Sequence, residues 1–384
     1  MPYWRLSGFY FFYFASLGAL IPYWSLYLKS LGFGAAEIGN LMAILMATKI
    51  ISPNIWGWVA DHTGRRMAIV RTGCLISMLA FVGVFFSDSF IWLMLVMVVF
   101  SFFWNATLPQ FEATTFSHLG EQTQRYSSIR LWGSIGFIAA VWGLGSVLEG
   151  VNISLLPMIL LLLFAGIWLS SLIVPEEAAG HLSLDHEPLR KLLSRPEVVG
   201  LLLACFLMQA SHGPYYTFFS IYLQDYGYSL SSIGALWALG VAAEVGIFLL
   251  MSRLVPLCGL RQLLLGSLLL AALRWLITAL YPASMGMMVF AQCLHAASFG
   301  VYHAAAIHYI HTFFTGRHQG KGQALYSSLS FGAGGALGSF YSGYLFDGFG
   351  ARSMFLVAML LALSGFLIAW RYLPGTFSRR AGYD

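Results

Sequence analysis

Long apolar stretches follow one another along this chain at approximately 8–28, 38–60, 67–86, 90–116, 126–148, 154–174, 198–224, 231–255, 261–281, 284–312, 322–346 and 351–373. A helix of about twenty apolar residues crosses a hydrocarbon layer about 30 Å thick, because each residue adds about 1.5 Å. Only 9% of the 384 residues are charged and 59% are hydrophobic, whereas an ordinary soluble domain is roughly 25% charged. The chain is therefore predicted to be an all-α integral membrane protein of twelve transmembrane helices. The formal charge of +5 does not indicate a nucleic-acid partner, since the basic residues are scattered between apolar runs and form no stripe. The start "MPYWRLSGFYFFYF" has no small-residue cleavage site and reads as a retained first helix. Cys74, Cys205, Cys258 and Cys293 form no C-x-x-C pair and are expected to be packing thiols.

Positive loops stay cytoplasmic during insertion. With the N-terminus inside, Arg5, Arg65, Arg66, Arg71, Arg125, Arg190, Lys191, Arg195, Arg253, Arg261, Arg317, Lys321, Arg371, Arg379 and Arg380 all fall on the cytoplasmic side, and only Lys29 and Arg352 fall outside. Both termini are expected to be cytoplasmic. The one long polar segment, 175–197, reads as a solvated linker between an N-terminal six-helix bundle, 1–174, and a C-terminal one, 198–384. "YLKSLGFGAAEIGNL" from Tyr27 matches "YLQDYGYSLSSIGAL" from Tyr222 at an offset of 195, with Gly39 facing Gly234 in the alignment. "RYSSIRLWGSIGF" at 125 echoes "LYSSLSFGAGGAL" at 325. The halves thus read as parallel copies, an arrangement that places a substrate site between them near the membrane midplane and exposes it to each side in turn.

Charges inside spans cost at least roughly 2.5–3.5 kcal/mol on insertion scales and each needs a reason. Five fall there: Lys49, Glu112, Arg130, Glu244 and Arg274. Glu112 and Arg130 lie on consecutive spans and are candidates to pair; Lys49 and Glu244 are related by the repeat offset and are candidates to meet at the interface. Each charge can equally serve a structural ion pair. Three cations against two acids leave a positive excess that a small anion would balance. Gln209 and His212, beside Pro214 in "QASHGPYYTFF", are expected either to line the pore or to mark a kink. Tyr23, Trp24, Trp104, Trp132, Tyr215 and Tyr216 are candidates to wall a cavity for a flat apolar body, though interfacial belts and packing use the same residues. His303, His308 and His311 lack an acid at helical spacing, so no metal is expected, and no cofactor.

The Gly57, Asp61, Gly64, Arg65, Arg66 pattern between spans two and three resembles the G-x-x-x-D-x-x-G-R-[RK] signature of the major facilitator superfamily. That resemblance implies two six-helix bundles and a cytoplasmic gate latched by these five residues. A charged loop that serves only to fix topology is the alternative. Asn105, Pro109 and Glu112, followed by "RLWGS" from Arg130, resemble the corresponding segment of lactose permease and its relatives, which implies substrate-binding roles for Asn105, Glu112 and Arg130. Arg274 in "LRW" and His295 in the tenth span resemble the proton-coupling region of that group and of nucleoside symporters. The acid expected three residues after His295 is Ser298, however, and the eleventh span carries no intramembrane Lys. Glu244 is the better proton carrier, as its surroundings can alternate between dry and paired. "PYWSLYLKSLG", "RLWGS", "LGVAAEV" and "LRW" together resemble the phenylpropionate permease branch. The resemblance implies a bacterial inner-membrane symporter that carries protons with an aromatic carboxylate such as 3-phenylpropionate, and a monomer is expected; Lys49, His212 and Gln209 join Glu112, Arg130, Arg274 and Asn105 as substrate-binding candidates. Sugar or nucleoside symport is the alternative within the same class. A polytopic enzyme would be expected to show a metal triad, a nucleophile with its base or a phosphate loop, and a sensor a soluble domain.

Overall fold

The structure, a computed structural model, describes residues 1–176, 192–315 and 318–374. Twelve long helices make up most of it: α1 Tyr3–Ser30, α2 Ala35–Thr63, α3 Arg66–Phe85, α4 Phe90–Leu119, α5 Tyr126–Gly150, α6 Leu156–Leu172, α7 Pro196–Asp225, α8 Leu230–Cys258, α9 Leu260–Leu280, α10 Met285–Phe313, α11 318–349 and α12 Ala351–Tyr372, with short 3-10 turns leading into α5 and α6. Among the described residues, eleven of these are long and apolar enough, taken whole, to cross a membrane. The remaining one, α11, is a continuous helical run in three parts, with a π-helical stretch Ser328–Gly334 between two α-helical ones. A second π segment, Ala296–Val301, interrupts α10. The connector expected over 175–197 lies mostly outside the described residues, as do Arg190, Lys191, Arg317, Arg379 and Arg380.

Local chemistry explains where the helices begin and end. Ser89, Ser229 and Ser284 each cap an N-terminus by accepting a backbone N–H, which satisfies donors that the helix itself leaves open. Gly64 closes α2 with a φ of 67°, a left-handed conformation natural to glycine. Pro22, Pro53, Pro109 and Pro214 all sit inside helices that continue through them.

The duplication read from the sequence is visible in the packing. In the first half α1 packs on α5 and α6, α2 on α4, and α3 on α4 and α6. Adding six to each label gives the second half: α7 on α11 and α12, α8 on α10, and α9 on α10 and α12. The halves meet along two seams, α5 with α8 and α2 with α11, which the same operation exchanges; α1 and α7 touch at the centre. The two six-helix bundles are therefore related by a parallel repeat.

Most of the polar ties between the halves collect at one end of the molecule, here called the Lys29 face. Lys29 Nζ lies 2.5 Å from Asp225 Oδ1. Asp347, at the end of α11, accepts from the first N–H groups of α2, and Glu149, at the end of α5, accepts from Ser231 at the start of α8. Beneath these ties the backbones approach closely. A Cβ added to Gly39 would lie 2.8 Å from the Ser339 carbonyl oxygen, and one added to Gly234 would lie 2.5 Å from that of Val141. The opposite end, which carries Asp61, is called the Asp61 face.

Candidate functional site

Glu244, His295 and Arg274 come together from three different helices. Arg274, on α9, is fully buried, and His295, on α10, is 5% exposed. Arg274 Nη1 is 2.9 Å from His295 Nδ1, and Ser298 Oγ and Gln292 Oε1 each accept from the guanidinium at 3.4 Å. Tyr215 and Trp275 lie against its face, with ring centroids 4.1 and 4.5 Å from Cζ. Guanidinium has donors and no acceptor, so His295 Nδ1 must receive the hydrogen bond and the imidazole proton must sit on Nε2. That Nε2 is 3.5 Å from Glu244 Oε2, whose side chain is 17% exposed. The geometry is an acid facing a tautomer-locked imidazole, which a buried cation locks from behind. Ser298 holds Arg274 where an acid was expected, and the carboxylate reaches His295 from α8 instead.

The three proton-coupling candidates are thus brought into one cluster, but two expected pairings do not form. Glu112 accepts from Tyr126 Oη at 3.1 Å, and no carboxylate lies within 4.0 Å of Arg130 among the described residues. Arg130 instead lies on the face of Phe14, 3.7 Å from its centroid. Such a contact is worth about 2 kcal/mol where water is excluded. Stacking uses the flat face and leaves the in-plane N–H groups free. A Cβ at Gly133 would fall 2.6 Å from Arg130 Nη1 and 2.7 Å from the Phe14 ring, so only glycine leaves room for the stack. Lys49 and Glu244 do not pair because the repeat places α2 against α11 and α8 against α5. Residues related by the two-fold meet only near its axis, where α1 and α7 stand. Lys49 makes no ion pair among the described residues. At 100° per residue it sits on the side of α2 opposite Ile51, Ile55 and Trp58, which are exposed.

Asn105 holds scaffold in place: its Nδ2 donates to Leu45 O at 3.0 Å and to Thr48 Oγ1 at 2.8 Å, tying α4 to α2. Gln209 and His212 are both buried. His212 Nδ1 binds the Met208 carbonyl at 2.8 Å, and His212 Nε2 and Gln209 Nε2 have no partner among the described residues. Gly213, next to His212, packs on Gly338 of α11, where an added Cβ would fall 2.1 Å from the Gly338 carbonyl carbon. Of the aromatic residues named above, Tyr23, Trp24, Trp104 and Tyr215 are buried in packing, Trp132 bonds Tyr3 near the start of α1, and Tyr216 is half-buried. Phe14 and Tyr126 were not singled out in the sequence; as two aromatics among many, nothing but the fold marks them. Among the described residues no group of three or more His, Cys, Asp or Glu is placed to hold a metal.

At the Asp61 face the signature residues form a compact turn. Asp61 Oδ1 is 2.8 Å from Arg66 Nη2, Gly64 makes the left-handed turn, and Gly57 faces Gln110. Arg65 is exposed, with its backbone N–H on Thr63 Oγ1. Arg71 reaches across to the Ser171 and Val174 carbonyls at the end of α6.

Comparison with known proteins agrees with this architecture. The model of the MFS_1 like family matches residues 3–357. A "Probable 3-phenylpropionic acid transporter" of Escherichia coli (strain K12) is 31% identical over 97% of this chain and 98% of its own length. A maltose permease of Geobacillus stearothermophilus is 26% identical over 94% of this chain and 92% of its own. A crystal structure of a mutant form of the nucleoside transporter NupG superposes with a TM-score of 0.87 at 16% identity, over 97% of this chain and 100% of that one. Two duplicated bundles, seams that the repeat exchanges, the glycine-acid-arginine turn and a full-length relative lead to one conclusion: the chain is a multi-pass membrane transporter, not an enzyme, and belongs to the MFS_1 like family of the major facilitator superfamily.

Proposed function

We propose that the chain carries a small organic anion of the aromatic-carboxylate class, typified by 3-phenylpropionate, into the cell together with protons by alternating access. The observation that carries this reading is the state of the intramembrane cations. Arg130 lies flat on Phe14 with no carboxylate within 4.0 Å, and Lys49 is likewise without an ion-pair partner among the described residues. Charges at that depth call for partners, and a guanidinium whose edge is open matches a carboxylate in a two-point contact. The ring of an aromatic acid suits the apolar side of such a site, where Phe14 is half-buried. The relative named for 3-phenylpropionic acid supports the same class.

Glu244 is the proton carrier in this reading. A carboxylic acid facing His295 Nε2–H accepts a hydrogen bond in either protonation state, so its proton can leave without dismantling the Arg274 cluster. Glu112, Lys49, Arg130 and Arg274 set the charge of the site. The bundles, 1–174 and 198–384, rock about the α1–α7 contact. The protein acts as a monomer in a bacterial inner membrane with both termini and the Asp61 face cytoplasmic, and the ties at the Lys29 face close the outer side. Sugar symport is the second reading, favoured by the maltose permease relative.

The test is uptake by the purified protein in liposomes under an imposed pH gradient, with radiolabelled 3-phenylpropionate, a disaccharide and a nucleoside. Accumulation of 3-phenylpropionate that collapses with a protonophore is expected. Accumulation of the disaccharide or nucleoside alone overturns the substrate class and leaves the transporter assignment standing.

A further inference from the structure

Three histidines lie near the middle of the C-terminal bundle, and their partners decide which can take a second proton. His295 cannot without losing Arg274, because its Nδ1 faces a donor-only guanidinium. His212 gives its Nδ1–H to the Met208 carbonyl, and its Nε2 is buried without a partner. A proton there would be an unsatisfied buried charge. His303 differs on both counts. It is half-buried, and its Nδ1 is 3.0 Å from Tyr326 Oη on α11. A phenol oxygen accepts Nδ1–H from either the neutral or the charged imidazole, so protonation at Nε2 breaks no hydrogen bond.

The surroundings of His303 connect it to the proposed site. His295, Phe299 and His303 stack along α10, with successive centroids 5.3 and 6.0 Å apart and planes 13° and 6° from parallel. The stack runs through the π segment Ala296–Val301, a local unwinding that recurs at functional sites. Phe331, in the π segment of α11, meets both Phe299 and His303 edge-on. Glu244 of α8 lies against the same stretch of α10: a Cβ added to Gly300, three residues before His303, would fall 3.1 Å from Glu244 Cγ, and the charge of Arg130, on α5, acts on both Glu244 and His303. His303 lies eight residues beyond His295, toward the Asp61 face.

We infer that His303, held by Tyr326, is a second proton station, which takes the proton that Glu244 releases and passes it to the Asp61 face. This rests on the proton-coupled reading above. In the transfer the O–H bond of the Glu244 acid breaks and an N–H bond forms at His303 Nε2, which converts a neutral pair into carboxylate and imidazolium. Loss of the same proton to water at the Asp61 face restores the neutral imidazole. Arg130 opposes the imidazolium, and an anion bound to Arg130 relieves that opposition. Substrate and proton thereby favour each other's presence, and departure of the anion drives the proton off.

The experiment uses the full-length protein with 15N-labelled histidine in lipid nanodiscs, and H303Q, Y326F and E244Q in liposomes with radiolabelled 3-phenylpropionate. Subtracting the H303Q spectrum identifies the His303 resonance. It is expected to move from neutral to charged imidazole within about pH 5–8, the range open to histidine, and to shift in Y326F. H303Q is expected to keep equilibrium exchange within twofold while accumulation driven by a pH gradient falls at least tenfold. A His303 resonance that stays neutral throughout overturns the inference whatever the substrate proves to be. So does parental accumulation by H303Q while E244Q has lost it, which leaves the proton-coupled reading intact. Parental accumulation by E244Q removes that reading and this inference together. Equal loss of exchange and accumulation in H303Q assigns His303 a structural role and overturns the inference as well.

Discussion

Asp347 and Ala36 join the two halves of the molecule: the carboxylate at the end of α11 accepts the N–H of Ala36, in the first turn of α2, at 2.8 Å, and that of Ala35 at 3.2 Å. The repeat-related contact is Glu149 to the N–H of Ser231 at 3.1 Å. Each acid meets the positive end of a helix from the other bundle, an interaction of roughly 0.5–2 kcal/mol. Replacing both, as D347N with E149Q, is expected to shift the population several-fold toward a conformation open at the Lys29 face. Distances between spin labels at Asn40 and Tyr344 should lengthen in the double variant. Unchanged distance distributions would show that the caps contribute nothing to closure.

The glycine seams make the same face sensitive to size. Gly39 and Gly234 occupy equivalent repeat positions, and each lacks room for a methyl group against carbonyl oxygens of the opposite bundle. Overpacking of this kind typically costs about 1–3 kcal/mol, but only in the closed state. G39A and G234A are therefore expected to increase labelling of a cysteine placed at Ser339 by a membrane-impermeant maleimide. Equal labelling rates in parent and variants would rule out the seams as the closing surface.

Much of this architecture was legible because membrane burial makes each ionisable residue conspicuous. Glu244, His295 and Arg274 stood out as polar side chains in apolar spans, and the fold unites them. The Lys49–Glu244 pairing failed because an offset in sequence identifies symmetry mates without saying how far they stand from the axis. The Glu112–Arg130 pairing failed for a different reason. Tyr126 and Phe14 intercept the two charges, and aromatic residues are too common here for any two to be noticed. The π segments were invisible as well, since an extra residue in a helical turn leaves the apolar pattern almost unchanged.

Arg130 should discriminate between charge and shape. Lysine keeps the charge but lacks the planar fork that matches a carboxylate. R130K is expected to raise the KM for 3-phenylpropionate at least tenfold, which corresponds to about 1.4 kcal/mol. R130Q should abolish saturable uptake. Initial-rate measurements in liposomes read both, and an R130K KM within twofold of the parent would remove Arg130 from substrate binding.

Arg274 is expected to matter for stability as well as transport. It is fully buried, and His295, Ser298 and Gln292 all direct polar atoms at it. R274L leaves those groups facing a hydrocarbon side chain, and breaking such a buried network costs about 3–5 kcal/mol. Thermal unfolding in detergent should show a marked fall in the midpoint for R274L and a smaller one for R274K. A midpoint unchanged in R274L would mean that the cluster is held by packing alone.

Asp61 sits at the other extreme. Its contact with Arg66 is solvent-facing, with 65% of the Asp61 side chain exposed, and such pairs contribute at most about 1 kcal/mol. D61N is therefore expected to leave the unfolding midpoint nearly unchanged. The turn it braces joins α2 to α3, and α2 forms one of the two seams between the bundles, so a weakened turn should affect the conformational step. Uptake by D61N is expected to slow several-fold with an unaltered KM, since Asp61 lies twelve residues beyond Lys49 on α2, about 18 Å along the helix, and its side chain is turned to solvent. A parental rate in D61N would reduce the charged turn to a signal for membrane insertion.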